Sequence, residues 1–269
     1  MNALGVARTT VLAGLAAALV ATLALAPGIG RRFLFAGVDT APASAPPDVQ
    51  VHALRARDGV AVHALEVVGP PGARVLVSFH NNRETAEQGV GLARALRARG
   101  FGVLLVEYRG YGASRGALPS EDGLYLDAEA ALDMLSARGI GPERVALLGT
   151  SLGTGVAAEM ARRGRGARLV LVTPYTSIPD LVTDAVPLVP ARALIADPFD
   201  TLAKSKSIEV PTLVVHGDAD EIVPFWMGAR LAGALPRARL LRVPGGHHGD
   251  LFGRGGADLL DEVARHAGS

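Results

Sequence analysis

Residues 144–163 constrain this chain more tightly than any other stretch. The apolar run at 144–148 reads as a buried strand, and the small-residue segment 154–163 reads as a helix. Between them stands Gly149-Thr150-Ser151-Leu152-Gly153. A turn this short crowds the strand against the helix, and glycine, which lacks Cβ, tolerates the crowding. The serine is then held on a strained turn with Oγ exposed above the sheet, which is the context of a G-x-S-x-G nucleophile elbow. A second match, Gly112-Ala113-Ser114-Arg115-Gly116, lacks that context. It lies beyond the end of its strand, and Pro119 keeps Leu118 out of the helical region, so no helix opens there at once. Ser151 is therefore the candidate nucleophile, and Ser114 reads as a loop residue.

Around the elbow, strands alternate with helices. A hairpin is expected at 49–57 and 60–68, turning at Asp58-Gly59. Further strands are expected at 74–79, 102–108, 144–148, 168–172, 212–216 and 239–243, with helices at 84–99, 121–138, 154–163, 225–235 and 257–266. Short β-rich runs separated by helices of this length imply right-handed βαβ units, and hence a mostly parallel central sheet with helices on both faces. The irregular stretch between Val172 and Thr212 is apolar but broken by Pro179, Pro187, Pro190 and Pro198, and it is too short for a large cap. With 269 residues and 49% hydrophobic content, one large catalytic α/β domain over 49–269 is expected.

The preceding residues read differently. No charged residue occurs at 9–26, and at about 1.5 Å per residue those positions would span roughly 27 Å, close to a bilayer's hydrocarbon thickness. Residues 1–30 are expected to be an N-terminal membrane anchor; a secretory signal cleaved near Ala26 is the alternative. Residues 31–48, rich in Pro and Ala, read as a linker. A net charge of +1 offers no field for gathering nucleic acid. The chain has no cysteine, which excludes disulfides, thiolate metal sites and a cysteine nucleophile.

A serine hydroxyl is a weak nucleophile at neutral pH, so Ser151 needs a base, and the base needs a carboxylate to fix its tautomer. In such a sheet these groups project from loops at the carboxyl ends of strands. Two loops offer candidates in the order serine, acid, histidine. The first, after the strand at 212–216, reads Gly217-Asp218-Ala219-Asp220-Glu221. The second, after the strand at 239–243, reads Pro244-Gly245-Gly246-His247-His248-Gly249-Asp250. Asp218 and Asp220 compete as the acid, and His247 and His248 as the base. His216 reads as a structural histidine.

With these segments in view, and with Glu107-Tyr108-Arg109-Gly110-Tyr111-Gly112 and Pro174-Tyr175-Thr176-Ser177, the chain resembles the α/β-hydrolases of the Bem46 group, which includes the ABHD12, ABHD13 and ABHD17-like lipases and protein depalmitoylases. The resemblance runs from Arg74 to the C-terminus. It implies the α/β-hydrolase fold without a large cap domain, and a triad of Ser151, Asp220 and His247: the acid at the fifth position of H-G-x-x-D, the base after the glycine of G-H. The tetrahedral intermediate needs two donors. One is expected from the backbone N–H of Leu152, which follows the nucleophile, and the other from the loop after the strand at 74–79. Related proteins carry H-G-N in that loop; here it reads His80-Asn81-Asn82, and Asn82 N–H is expected to be the donor, with Asn81 N–H the alternative.

The expected function is a serine hydrolase that cleaves carboxylic esters or thioesters, with acyl or lipid substrates, through an acyl-enzyme and without metal or cofactor. Two readings stay open beside it: a peptidase or polar-ester hydrolase on the same fold, and a non-catalytic binding protein.

Overall fold

The computed structural model describes residues 31, 34–37 and 45–269. Its sheet strands are β1 (Gln50–Arg55), β2 (Ala61–Val67), β3 (Val75–Phe79), β4 (Gly102–Glu107), β5 (Val145–Thr150), β6 (Arg168–Val172), β7 (Thr212–Gly217) and β8 (Ala238–Val243). They form one eight-stranded sheet in the order β1-β2-β4-β3-β5-β6-β7-β8. β1 pairs antiparallel with β2 and β2 with β4, while every pair from β4 through β8 is parallel. The strand that carries the elbow, β5, thus lies inside the sheet between β3 and β6.

The helices are α1 (Val90–Arg97), α2 (Glu121–Ala137), α3 (Leu152–Arg162), α4 (Ile178–Ala185), α5 (Ala191–Leu194), α6 (Thr201–Lys204), α7 (Phe225–Ala234) and α8 (Leu251–Gly268). Alternation along the strands sends side chains to opposite faces. Val77, Leu104, Leu147 and Leu171 pack with Leu124, Ala128 and Leu132 of α2, Val156 and Met160 of α3, and Met227 of α7. Leu76, Leu105, Leu148 and Val170 pack on the other face with Val90 and Leu96 of α1 and with Leu259 and Val263 of α8. Both faces of the inner strands are therefore dry, which is why these runs are apolar throughout.

Some elements depart from their expected bounds for local reasons. α1 begins at Val90 rather than at 84, because Thr85 N–H donates to Gln88 Oε1 at 2.9 Å and the intervening Ala86–Gly89 is a 3-10 turn. α8 starts at Leu251 rather than at 257, with a break at Gly256 (φ 51°, ψ −141°). Three glycines in its first turns lower helix propensity enough to hide that start in the sequence. The stretch between β6 and β7 holds three short helices, α4 to α6, and no large cap.

The single-pass anchor expected at the N-terminus is not supported. Among the described residues no helix is long and apolar enough to cross a membrane. The longest, α8, carries Arg254, Asp258, Asp261, Glu262 and Arg265. The stretch at 9–26 itself lies outside the described residues.

Candidate active site

Ser151 sits between β5 and α3 with φ 50° and ψ −115°, a conformation that costs a residue with a Cβ about 1–3 kcal/mol. The surroundings fix it there. Ser151 N–H donates to Val172 O of β6 at 2.9 Å, and Ser151 O accepts from Thr154 N–H at 2.9 Å and Thr154 Oγ1 at 2.6 Å. The two glycines of the motif are sterically required: a Cβ on Gly149 would run into Gly153 O, and one on Gly153 into Phe79 O. Leu152 opens α3, so its N–H has no partner within the helix.

The loops after β7 and β8 nest in the same way, for a Cβ on Gly217 would strike Gly246 O. Ala219 N–H donates to Gly246 O at 3.1 Å, and Asp218 N–H to Val243 O at 3.3 Å. Asp218 turns outward, bonding Gly245 N–H at 2.6 Å and Arg242 Nε at 2.7 Å. Asp220 turns inward with its side chain fully buried. Its Oδ1 accepts from the N–H groups of Ile222 at 2.9 Å and Val223 at 2.8 Å.

His248 joins the two loops to the elbow. Its Nε2 lies 3.0 Å from Ser151 Oγ, and its Nδ1 lies 2.9 Å from Asp220 Oδ2 and 3.1 Å from Oδ1. His247, expected in this place, is not there. Its side chain is 53% exposed against 17% for His248, and its Nδ1 faces Glu221 at 3.1 Å. The reason is local: Gly245 has φ 64°, and Asp250 Oδ1 caps His247 N–H at 2.8 Å, so the turn carries His247 outward and His248 toward the serine. Two adjacent histidines hide this choice from the sequence, since only the turn geometry separates them.

Burial pushes the Asp220 carboxyl up, but hydrogen bonds from His216, His248 and the Val223 amide outweigh it and hold the group well below the usual carboxylate range. A carboxylate so held keeps the hydrogen on His248 Nδ1 and leaves Nε2 free to accept the serine proton. His216, fully buried, bonds Val223 O at 2.9 Å and lies 3.4 Å from Asp220 Oδ2. Ser114 is buried; its Oγ accepts from His63 N–H at 2.8 Å and donates to Glu107 O at 3.3 Å, so it braces β2 against β4. Asn81 Oδ1 accepts from Arg83 N–H at 2.8 Å and Glu84 N–H at 3.1 Å, shaping the loop after β3. Among the described residues no group of three or more His, Asp or Glu side chains is arranged to hold a metal ion.

Comparison with known proteins bears on the family and the fold. The family model described as "Serine aminopeptidase, S33" matches residues 70–199, and that described as "TAP-like protein" matches 195–263. The WAV2 alpha/beta hydrolase domain-containing protein of Arabidopsis thaliana is 30% identical over 226 residues, 76% of this chain and 73% of the relative. The chain is an α/β-hydrolase. The hydrolase is also 32% identical to alpha/beta hydrolase domain-containing protein 17C of Xenopus tropicalis, over 76% of this chain and 65% of the relative, in keeping with the ABHD17-like group. An uncharacterized protein of Mycobacterium tuberculosis, Rv2307c, is 38% identical over 73% of the chain and 70% of the relative. Among solved structures, the Pyrococcus furiosus esterase Pf2001 superposes with a TM-score of 0.69 at 16% identity, covering 85% of the hydrolase and 96% of the esterase. At that identity the likeness concerns the fold alone.

Proposed function

We propose that the protein is a serine hydrolase of carboxylic esters or thioesters, working through an acyl-enzyme on Ser151 with His248 as base and Asp220 as acid. The observation that carries this reading is His248, bridged between Ser151 Oγ and the Asp220 carboxylate. In the first step Ser151 Oγ attacks the substrate carbonyl while His248 Nε2 takes its proton, and Asp220 stabilises the imidazolium. The N–H groups of Leu152 and of Asn82, with Asn81 the alternative, receive the oxyanion. His248 then gives its proton to the leaving alkoxide or thiolate, and a water activated by the same imidazole hydrolyses the acyl-enzyme.

An acyl substrate is favoured by a group of exposed apolar side chains. Val186, Leu188, Ile222 and Trp226 are exposed large hydrophobic residues, Leu188 at 87%. Trp226 Nε1 donates to Asp184 Oδ1 at 3.2 Å, which ties the end of α4 to the start of α7, and Ile222 follows Asp220 by two positions. A single apolar side chain exposed to water needs no explanation, but several on adjoining elements suit an acyl group. A peptidase is the second reading, favoured by the description of the matching family model.

The deciding experiment assays the full chain on p-nitrophenyl esters of graded chain length, acyl thioesters and aminoacyl amides, alongside labelling with a fluorophosphonate. We expect Ser151 alone to be labelled and longer esters to be preferred. Labelling that survives Ser151→Ala rejects the nucleophile, and turnover confined to the amides replaces the ester reading with the peptidase.

A further inference from the structure

A second buried histidine stands beside the site and is unused in the mechanism above. His80 follows β3, and its Nδ1 lies 2.7 Å from Asn81 O. A carbonyl oxygen only accepts, so Nδ1 carries the hydrogen. Across the ring, Nε2 faces Glu107 Oε1 at 3.2 Å, an ion-pair distance without hydrogen-bond alignment, and neither atom has a hydrogen-bond partner among the described residues. Both side chains are buried. The imidazole packs against two tyrosines: its centre is 4.1 Å from that of Tyr108, tilted, and 5.2 Å from that of Tyr111, edge-on. Glu107 is held in turn, since its Oε2 accepts from Ala86 N–H at 3.2 Å.

The same cluster takes three consecutive carbonyls of the loop. Tyr108 Oη donates to His80 O at 3.0 Å, His80 Nδ1 to Asn81 O, and Tyr111 Oη to Asn82 O at 3.2 Å. None of these peptides is cis, and in a trans peptide the N–H points opposite to the C=O. The N–H of Asn82 is therefore turned away from the cluster. Had the peptide between Asn81 and Asn82 flipped, a carbonyl oxygen would stand where a donor is needed.

We propose that His80 and Glu107 are positioning residues for the oxyanion hole: His80 Nδ1–H holds the peptide between Asn81 and Asn82 with its N–H presented to the substrate oxygen, and Glu107, facing Nε2, keeps the imidazole in the orientation that does so. The proposal rests on the serine-hydrolase reading above. Packing alone does not account for the pair. A buried imidazole facing a buried carboxylate costs desolvation that an apolar pair of similar volume avoids. What the apolar pair could not supply is a donor for Asn81 O.

Two measurements on the full chain test it. The first is nitrogen NMR of protein labelled with 15N-histidine, His80 being assigned by the signal lost in His80→Gln. The hydrogen is expected on Nδ1 at neutral pH, and a bare Nδ1 overturns the proposal whatever becomes of Ser151. The second is steady-state kinetics of variants whose thermal unfolding is cooperative. Loss of one oxyanion donor typically costs about 10²- to 10³-fold in kcat. His80→Leu and Glu107→Leu are expected to show that loss with KM changed less than about 3-fold, because the donor acts in the transition state rather than on bound substrate. Glu107→Gln, which keeps a polar group opposite Nε2, is expected to remain within about 10-fold of the parent. Undiminished kcat in His80→Leu, or equal losses in Glu107→Gln and Glu107→Leu, overturns it. If His80→Leu does not fold, the two Glu107 variants and the NMR decide. A parent chain that neither turns over esters nor takes the fluorophosphonate label on Ser151 fails the hydrolase reading instead, and the NMR result stands apart from that failure.

Discussion

Gly217 and Gly246 meet backbone against backbone where the loops after β7 and β8 nest, leaving no room for a Cβ between them. This contact sets the separation of the loop that bears Asp220 from the loop that bears His248. Gly217→Ala must push them apart, and a misplacement of about 1 Å at a reacting group can cost 10²-fold in rate. We expect Gly217→Ala to lower kcat by about that factor while near-ultraviolet circular dichroism shows the rest of the core intact. A variant with parent kcat would show that the loops tolerate separation.

His248→Ala should lower kcat by about 10⁴-fold or more, as removal of a triad member does, while His247→Ala should change it less than about 5-fold. The His247 side chain makes an exposed pair with Glu221, a kind that contributes little. Steady-state assays of the two variants side by side check the assignment, and the reverse pattern would restore His247 as the base.

Arg109 and Asp127 form a buried pair in which Arg109 Nη2 lies 2.7 Å from Asp127 Oδ1 and Arg109 N–H donates to Oδ2 at 2.8 Å. Arg109→Met strands a buried carboxyl, a change that typically costs about 3–5 kcal/mol. Adding Asp127→Asn removes the charge while keeping an acceptor for the Arg109 amide, so the double variant should regain more than half of the loss. Urea unfolding midpoints of the parent, the single variant and the double variant measure it.

Acid stability should report on Glu159. Burial pushes its carboxyl up, but hydrogen bonds from Arg162 and Arg163 and the charge of Lys204 outweigh it and lower the group to about 2. A folded value below the unfolded one means that the stabilisation is complete above the unfolded pKa near 4.5 and disappears as pH falls toward 2. Relative to Glu159→Gln, the parent should be more stable by about 1–3 kcal/mol at pH 7 and should lose that margin between about pH 4.5 and pH 2. Urea unfolding across that range measures the margin. A margin independent of pH would mean that Glu159 acts through packing.

Substrate preference offers a last test. Trp226→Ala combined with Leu188→Ser removes two of the exposed apolar side chains without touching Ser151, Asp220 or His248. We expect kcat/KM for long-chain esters to fall about 10-fold or more, roughly what one or two buried methylenes contribute, with the acetate ester little changed. Equal losses on both would assign these side chains a structural role.

The sheet and the elbow were legible because both are local in sequence. Apolar runs of five or six residues mark β3 to β7, and the glycines on either side of Ser151 are steric necessities that only that residue type meets. The candidate acid Asp220 was singled out by its motif. Which histidine faces Ser151 was not legible, because His247 and His248 differ only in which side of a glycine turn they leave. The short helices α4 to α6 were hidden by the prolines in and between them, and the start of α8 by Gly253, Gly255 and Gly256. Nor was it apparent that Ser114, whose motif imitates the elbow, is buried as a brace between two strands. In each case the missing information is tertiary: a neighbouring backbone decides what a permissive residue does.

Ser151 and His248 are 97 positions apart, and each depends on a different strand for its place. The serine is set once β5 is flanked by β3 and β6, but the imidazole arrives only when β8 has closed on β7. During synthesis the hydroxyl must therefore wait, chemically ordinary, beside half-built neighbours that it cannot harm. On the reading proposed above, reactivity toward an activated phosphonate is then a clock for the final pairing of the sheet, since no earlier stage of assembly brings His248 to the serine.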